Sequence, residues 1–423
     1  MGTISGRVLD ELGDPLQGVG VQVLEVRYEA GRRRLVAAGG AVRVTDDLGR
    51  YRMYNLPPRQ FIVNAVAGSV ASAELPGYAR SYYPGTPNAG SAQFVSVGLS
   101  QDVTGIDFSL SRTRTARVAG RMLNAAGEST MSGSLQLMPS HSSATVTRVP
   151  VGARILPDAT FEFPNVPDGQ YVIQAYRGRT NSSTEGEFGS MPVSVNGADL
   201  KDLVLQTSSG SSIKGRISFD ALDRSKTPAR SDIALSPIPV DFDLSPSNIA
   251  TADIHADWSF EIAGVNGPRR LQLLRSPAGW ALKAINVGGF DVMDRPLPFG
   301  RKEQSLNDVE VVLTDRINAL SGTITNGARP ARGANMIVFS TDRDRWYPSS
   351  RFLRTAVAGA NGEFAIAGLP FGSYYAAAVA PLPVEGEDAW QSSEFLTSLL
   401  PRASTVTVGM GQNPSISLQL RAR

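Results

Sequence analysis

The chain contains no cysteine, which excludes disulfides, thiolate nucleophiles, Cys-ligated zinc and iron–sulfur clusters. It has two histidines, His141 and His255, too few for a metal site built on several imidazoles or for a catalytic histidine in every repeat. Lysine is scarce as well: only five of the 41 Lys and Arg residues are lysine. Acidic residues number 39, so the summed charge makes no broad field for DNA, RNA or anionic lipid, and no nucleic-acid partner is expected. No run approaches the 18 or more apolar residues of a membrane span. The first strand-like run begins at Thr3 and leaves no room for a signal peptide. The expectation is an extracytoplasmic mature form (secreted, periplasmic or at the cell surface) whose leader is absent from this sequence.

What is present is turn-forming and apolar. Across 423 residues, 42% are hydrophobic and 19% charged, with 42 Gly and 27 Pro, the composition of a folded, turn-rich protein with room for three or four domains. The dominant signal is repetition. A short strand carrying Gly recurs as "TISGRV" (3–8), "ARVAGRM" (116–122), "SIKGRI" (212–217) and "ALSGTI" (319–324). A strand–turn–strand unit follows in each copy: "GRYRMYNLPPRQFIV", "ATFEFPNVPDGQYVI", "WSFEIAGVNGPRRLQL" and "GEFAIAGLPFGSYYA". A closing strand ends each one, as "VTGIDFSL", "LKDLVLQ", "LNDVEVVL" and "NPSISLQL".

The repeated glycines, Gly6, Gly120, Gly215 and Gly322, lie 114, 95 and 107 residues apart, a period that suits whole domains. Tyr51/Met53, Phe161/Phe163, Phe260/Ile262 and Phe364/Ile366 alternate with Arg52, Glu162, Glu261 and Ala365, the period-two pattern of a strand with one buried face. With a further apolar run between the first strand and the hairpin, each copy holds five to seven short strands, as an antiparallel sandwich requires. "EDAWQSSEFLTSL" (387–399) is the one expected helix. The linkers "SRTRT", "TSSGS" and "TDRIN" are too short for flexible tethers. Each copy is expected to keep its own sheets.

The succession of S/A-G-R-V, G-V-x-V, D-x-x-G-x-Y/F, L-P-x-G-x-Y and a closing apolar strand resembles the carboxypeptidase regulatory-like domains, which are transthyretin-like β-sandwiches related to Cna-B type repeats. The resemblance covers nearly the whole chain, except that "NGPRRLQL" in the third copy departs from P-x-G-x-Y. It implies an all-β fold of four tandem Ig-like or transthyretin-like antiparallel β-sandwiches, spanning 1–113, 114–210, 211–316 and 317–423 and arranged as an elongated chain. It also implies an exported bacterial protein serving as spacer, adhesive or carbohydrate-binding-like module. Cna-B-like domains sometimes carry a Lys–Asn cross-link. Only the third copy, with Lys214 and Lys283, places lysines where one is conceivable.

Chemistry-bearing motifs are few. No G-x-S-x-G, P-loop, G-x-G-x-x-G or H-E-x-x-H occurs. "DFDLS" (241–245), "DALD" (220–223) and "TDRDR" (341–345) lack the D-x-D-x-D-G spacing that wraps calcium, and both histidines read as loop residues. Neither a metal nor a cofactor is expected, and the chain is read as non-enzymatic. The remaining candidates are aromatic: Tyr82 and Tyr83 in "SYYPG", Trp346 and Tyr347 in "DRWYP", and Trp390. In such loops flat rings either stack on sugar or Pro-rich peptide, or seal the ends of the sandwiches and the contacts between copies. The expected function is a structural spacer or adhesive interaction module with a protein or cell-surface glycan partner. The alternative is a carbohydrate-binding protein using these aromatic loops.

Overall fold

A computed structural model describes the protein except for residues 30–31, 39–41, 68–76, 141–145, 148–150, 224–226, 242–244, 246–248, 384–387, 410–411 and 421–423. His141 lies outside the described residues. Apart from one α-helix, Ser393–Leu399, and short 3-10 turns, the described elements are β-strands. The opening strands are Gly2–Leu9, Thr115–Leu123, Ser211–Asp220 and Ala319–Asn326. Each pairs antiparallel with the first strand of its strand–turn–strand unit, namely Arg50–Leu56, Thr160–Pro167, Ser259–Val265 or Glu363–Ala367. On its other side it pairs in parallel with its own closing strand, Phe108–Ser109, Leu200–Gln206, Leu306–Thr314 or Ser415–Gln419. Within each copy the described strand pairings are thus antiparallel except at this one seam.

The seam explains the repeated glycine. A Cβ placed on Gly6, Gly120, Gly215 or Gly322 would meet a backbone carbonyl oxygen of the closing segment at 2.0, 2.2, 1.9 and 1.9 Å respectively. Only a residue without a side chain lets the parallel strand approach this closely.

The strand–turn–strand units are not simple hairpins. Glu363–Ala367 belongs to the sheet of the opening strand, whereas Gly372–Val379 pairs with Asn335–Ser340 in the facing sheet. The turn therefore carries the chain across the sandwich. Its corner residue has positive φ in every copy, at Asn55, Asn165, Gly264 and Gly368, and Asn and Gly are the residues that adopt this conformation at least cost. In the second and fourth copies the L-P-x-G-x-Y tyrosine secures the corner: Tyr171 Oη donates to the Pro167 carbonyl at 3.0 Å, and Tyr374 Oη to that of Pro370 at 2.7 Å.

Four main cores result, each drawn from one copy: residues 4–110, 116–205, 213–313 and 320–418. Phe161, Phe163, Phe260, Phe364 and Ile366 are all buried, while Glu363 and Ala365 are exposed. By proximity the chain forms two units. The first comprises Met1–Arg27, Arg33–Thr180 and Gly186–Gly210, the second Tyr28–Arg32, Asn181–Glu185 and Ser211–Arg423. One strand departs from the expectation that no sheet is shared between copies: in the first unit, Val146–Thr147 of the second copy pairs in parallel with Arg34 and Leu35 of the first. The helix forms over Ser393–Leu399, shorter than the expected 387–399, with Ser392 Oγ accepting from the Phe395 amide at 3.2 Å.

Candidate functional site

The structure separates the aromatic residues that the sequence sets side by side. Tyr82 is buried at 4% exposure among Leu24, Leu35 and Ile62 on the outer face of its sheet. Tyr83 turns the other way, packs against the core of the first copy and meets Phe108 edge-on at 6.3 Å. Trp346 is buried at 7% and donates from Nε1 to the Ser340 carbonyl at 2.6 Å. Trp390 packs with it around Phe339, Phe395 and Leu396. Tyr82 and Tyr83 are adjacent in an extended segment and face opposite sides, and Trp346, which ends a 3-10 turn, is buried away from solvent, so neither YY nor WY presents two rings to one ligand.

Tyr347 has a different setting. Its hydroxyl donates to Asp294 Oδ1 at 3.0 Å, and the Arg270 guanidinium lies 4.1 Å above its ring. Asp294 also accepts two-pronged bonds from Arg351, with Nε to Oδ2 at 3.0 Å and the terminal nitrogen to Oδ2 at 2.7 Å. Arg270 Nε donates to the Asp294 carbonyl at 3.2 Å. One carboxylate of the third sandwich is thereby held by two side chains of the fourth, both chains half-buried. Burial and the neighbouring Asp294 charge push the Tyr347 hydroxyl up to about 12.

This cluster closes one end of a cleft of about 390 Å³ within the second unit. One wall is the strand edge Leu271–Leu274 with Trp280 and Leu282; the other holds Ser349, Arg351 and Arg354. Arg354 donates to the carbonyls of Ser350 and Leu353 at 3.3 and 3.1 Å. No carboxylate among the described residues pairs with it, and burial lowers its proton affinity. Gln272 Oε1 is buried at the cleft without a hydrogen-bond partner among the described residues. None of this is visible in a motif: the walls come from segments about 80 residues apart, and only the "SPAGW" turn and the local run of arginines give any signal.

The other sequence candidates resolve into surface roles. His255 is exposed in a turn whose Trp258 amide donates to the His255 carbonyl. Lys214 and Lys283 are half-exposed and pair with Glu261 and Asp220 at 3.0 and 2.8 Å, which leaves neither buried beside an asparagine. Asp342 caps a 3-10 turn and pairs with Arg345. Part of "DFDLS" lies outside the described residues. Among those described, no group of three or more metal-ligating side chains occurs, and no helix is long and apolar enough to cross a membrane.

No protein-family model matches the chain, and a search of curated proteins finds no match. Among solved structures, the chain is similar to the Bacillus anthracis TIE protein, at 10% identity over 98% of this chain and 73% of that one, with a TM-score of 0.19. It is also similar to a streptococcal ancillary pilin, at 11% identity over 73% and 99% with a TM-score of 0.23. A third is BcpA, the major pilin subunit of Bacillus cereus, at 11% identity over 72% and 98% with a TM-score of 0.18.

Proposed function

We propose that the chain is a structural spacer or adhesive interaction module that works outside the cytoplasm and engages protein or glycan partners without catalysing a reaction. Its four copies belong, on this reading, to the carboxypeptidase regulatory-like class, with boundaries near residues 113, 210 and 316. The observation that carries it is the junction in the second unit, where Asp294, Arg351, Tyr347 and Arg270 join consecutive sandwiches by charge-assisted bonds. The repeated residues meanwhile serve the fold, as glycines of a close seam and corner residues with positive φ. A chain that spends its recurring residues on sandwiches and adds polar locks between neighbours suits bearing load or holding a surface at a distance.

Force spectroscopy on the full chain tests this reading. Each copy of about 100 residues should unfold separately and release roughly 35 nm of contour. A single concerted rupture of the whole chain would overturn it. Antibody labelling of intact cells checks the location, and labelling that appears only after permeabilisation would contradict it.

A further inference from the structure

In three sandwiches the second strand of the strand–turn–strand unit is paired on both edges. Arg59–Val66 lies between Gly20–Glu29 and Val95–Val97, Gly169–Arg177 between Ser134–Pro139 and Glu187–Val195, and Gly372–Val379 between Asn335–Ser340 and Ser404–Val408. The third sandwich breaks the rule. Its equivalent strand, Arg269–Arg275, pairs with Ala234–Pro239 in a two-stranded sheet. The strand that follows, Ala281–Val287, is diverted to the opposite sheet, where it joins Leu306–Thr314. On the vacant side, among the described residues, only Leu297 pairs, exchanging both backbone bonds with Arg269.

The register shows which groups are left. Pro239 and Pro237 stand opposite Arg269 and Leu271, and proline has no N–H to offer a ladder. Backbone bonds alternate sides along an antiparallel strand. Arg269 directs its pair to Leu297, so Leu271 and Leu273 direct theirs to the same side, where no strand among the described residues receives them. Leu271–Leu274 line the 390 Å³ cleft, together with Trp280, Leu282 and Arg354.

We propose that this edge accepts an extended peptide by β-strand addition, and that the peptide carries apolar side chains and a carboxylate. The outward amides and carbonyls of Leu271 and Leu273 repeat at the spacing of a peptide backbone. Trp280 and Leu282 offer apolar contact, and Gln272 Oε1 has no donor among the described residues. Arg354, a half-buried guanidinium with no carboxylate among the described residues, supplies the charge preference. Arg351 is already neutralised by Asp294, so a lysine-bearing peptide would meet the uncompensated charge of Arg354 and bind less well.

The inference names a partner for the module proposed above and rests on that reading only for its biological setting. The probe is acetyl-Thr-Val-Asp-Val-Thr-amide, added to the full chain while amide hydrogen exchange is followed residue by residue. In the free chain the Leu271 and Leu273 amides should exchange much faster than those of Ile173 and Tyr375, and the peptide should slow them about tenfold or more. N-methylating its valines, or replacing Asp by Lys, should abolish the protection. Arg354→Gln should weaken binding by about tenfold, and Arg354→Lys should restore part of it. Protection of Leu271 and Leu273 in the free chain, equal binding of the N-methylated peptide, or no protection at millimolar peptide would overturn the proposal. So would a neutral glycan that protects the same amides, or a dimer formed through this edge. Any of these results would leave the stepwise force profile intact, which keeps the two readings separable.

Discussion

Gly322 and Gly327 lie in or beside the same opening strand and are glycine for different reasons. Gly322 has an ordinary extended backbone, but a Cβ there would sit 1.9 Å from the Ile416 carbonyl oxygen and 2.8 Å from the Phe364 ring. Gly327 has φ of 61° and open space around it. Gly322→Ala should therefore destabilise the fourth sandwich by roughly 1–3 kcal/mol, the cost of overpacking against backbone that cannot move aside. Gly327→Ala should cost about 1 kcal/mol through strain alone, and Gly327→Asn clearly less, because Asn tolerates this conformation. Chemical denaturation of the three variants checks both halves. Rescue of position 327 by Asn, with no rescue at 322 by any side chain, is the expected pattern.

At the scale of elements, the alternation of Tyr51/Met53, Phe161/Phe163, Phe260/Ile262 and Phe364/Ile366 identified strands with one buried face, since burial with period two leaves its mark residue by residue. The recurring Gly and the L-P-x-G-x-Y turn were equally legible, but their reasons were not. The carbonyl that forbids a side chain at Gly322 comes from Ile416, 94 positions away, and the corner crosses between sheets where local reading supports a hairpin. The cleft was less legible still, because it exists where Ala281–Val287 joins the sheet opposite to that of its counterparts in the other copies, and no local propensity records that choice. Which of the two roles each aromatic ring takes was not legible in the adjacent pairs, because that depends on the side to which each ring turns.

The corner tyrosines make a prediction of their own. Burial raises the Tyr171 and Tyr374 hydroxyls, and Tyr347 reaches about 12 from an ordinary 10.0. A raised pKa in the folded state means that the stabilisation is complete below the unfolded value and is lost as pH rises towards the folded one. Melting temperature should hold to about pH 10 and then fall steeply towards pH 12. Tyr374→Phe should cost about 1 kcal/mol at neutral pH for the lost bond to Pro370 and make the alkaline fall shallower. An alkaline profile unchanged by the substitution would show that this tyrosine is not the group responsible.

For the whole molecule, sequence copies and structural units do not coincide. Asn181–Glu185 belongs to the second copy by sequence and to the second unit by structure. There the Glu185 amide donates to the Ala263 carbonyl at 3.1 Å, and the Thr251 amide donates to the Ser182 carbonyl at 2.9 Å. Glu185 Oε2 accepts from Arg269 at 2.6 Å, with neither side chain exposed. Arg269 also donates from Nε to the Asn266 carbonyl at 2.8 Å. Burial pulls its proton affinity down while the Glu185 charge opposes that shift. Removing one partner of such a pair leaves an uncompensated charge in the interior, which typically costs about 3–5 kcal/mol, whereas the intact pair adds much less than that to stability. Glu185→Ala should therefore lower the unfolding temperature of the third sandwich, although the mutation falls within the second copy, and the second sandwich should melt almost as before. Glu185→Ala combined with Arg269→Met should recover much of the loss, because an apolar side chain of similar length removes the stranded charge. Calorimetry of the full chain, with hydrogen exchange to assign each transition, distinguishes this from the outcome expected if Glu185 served only its own copy: a loss confined to the second sandwich that Arg269→Met does nothing to repair.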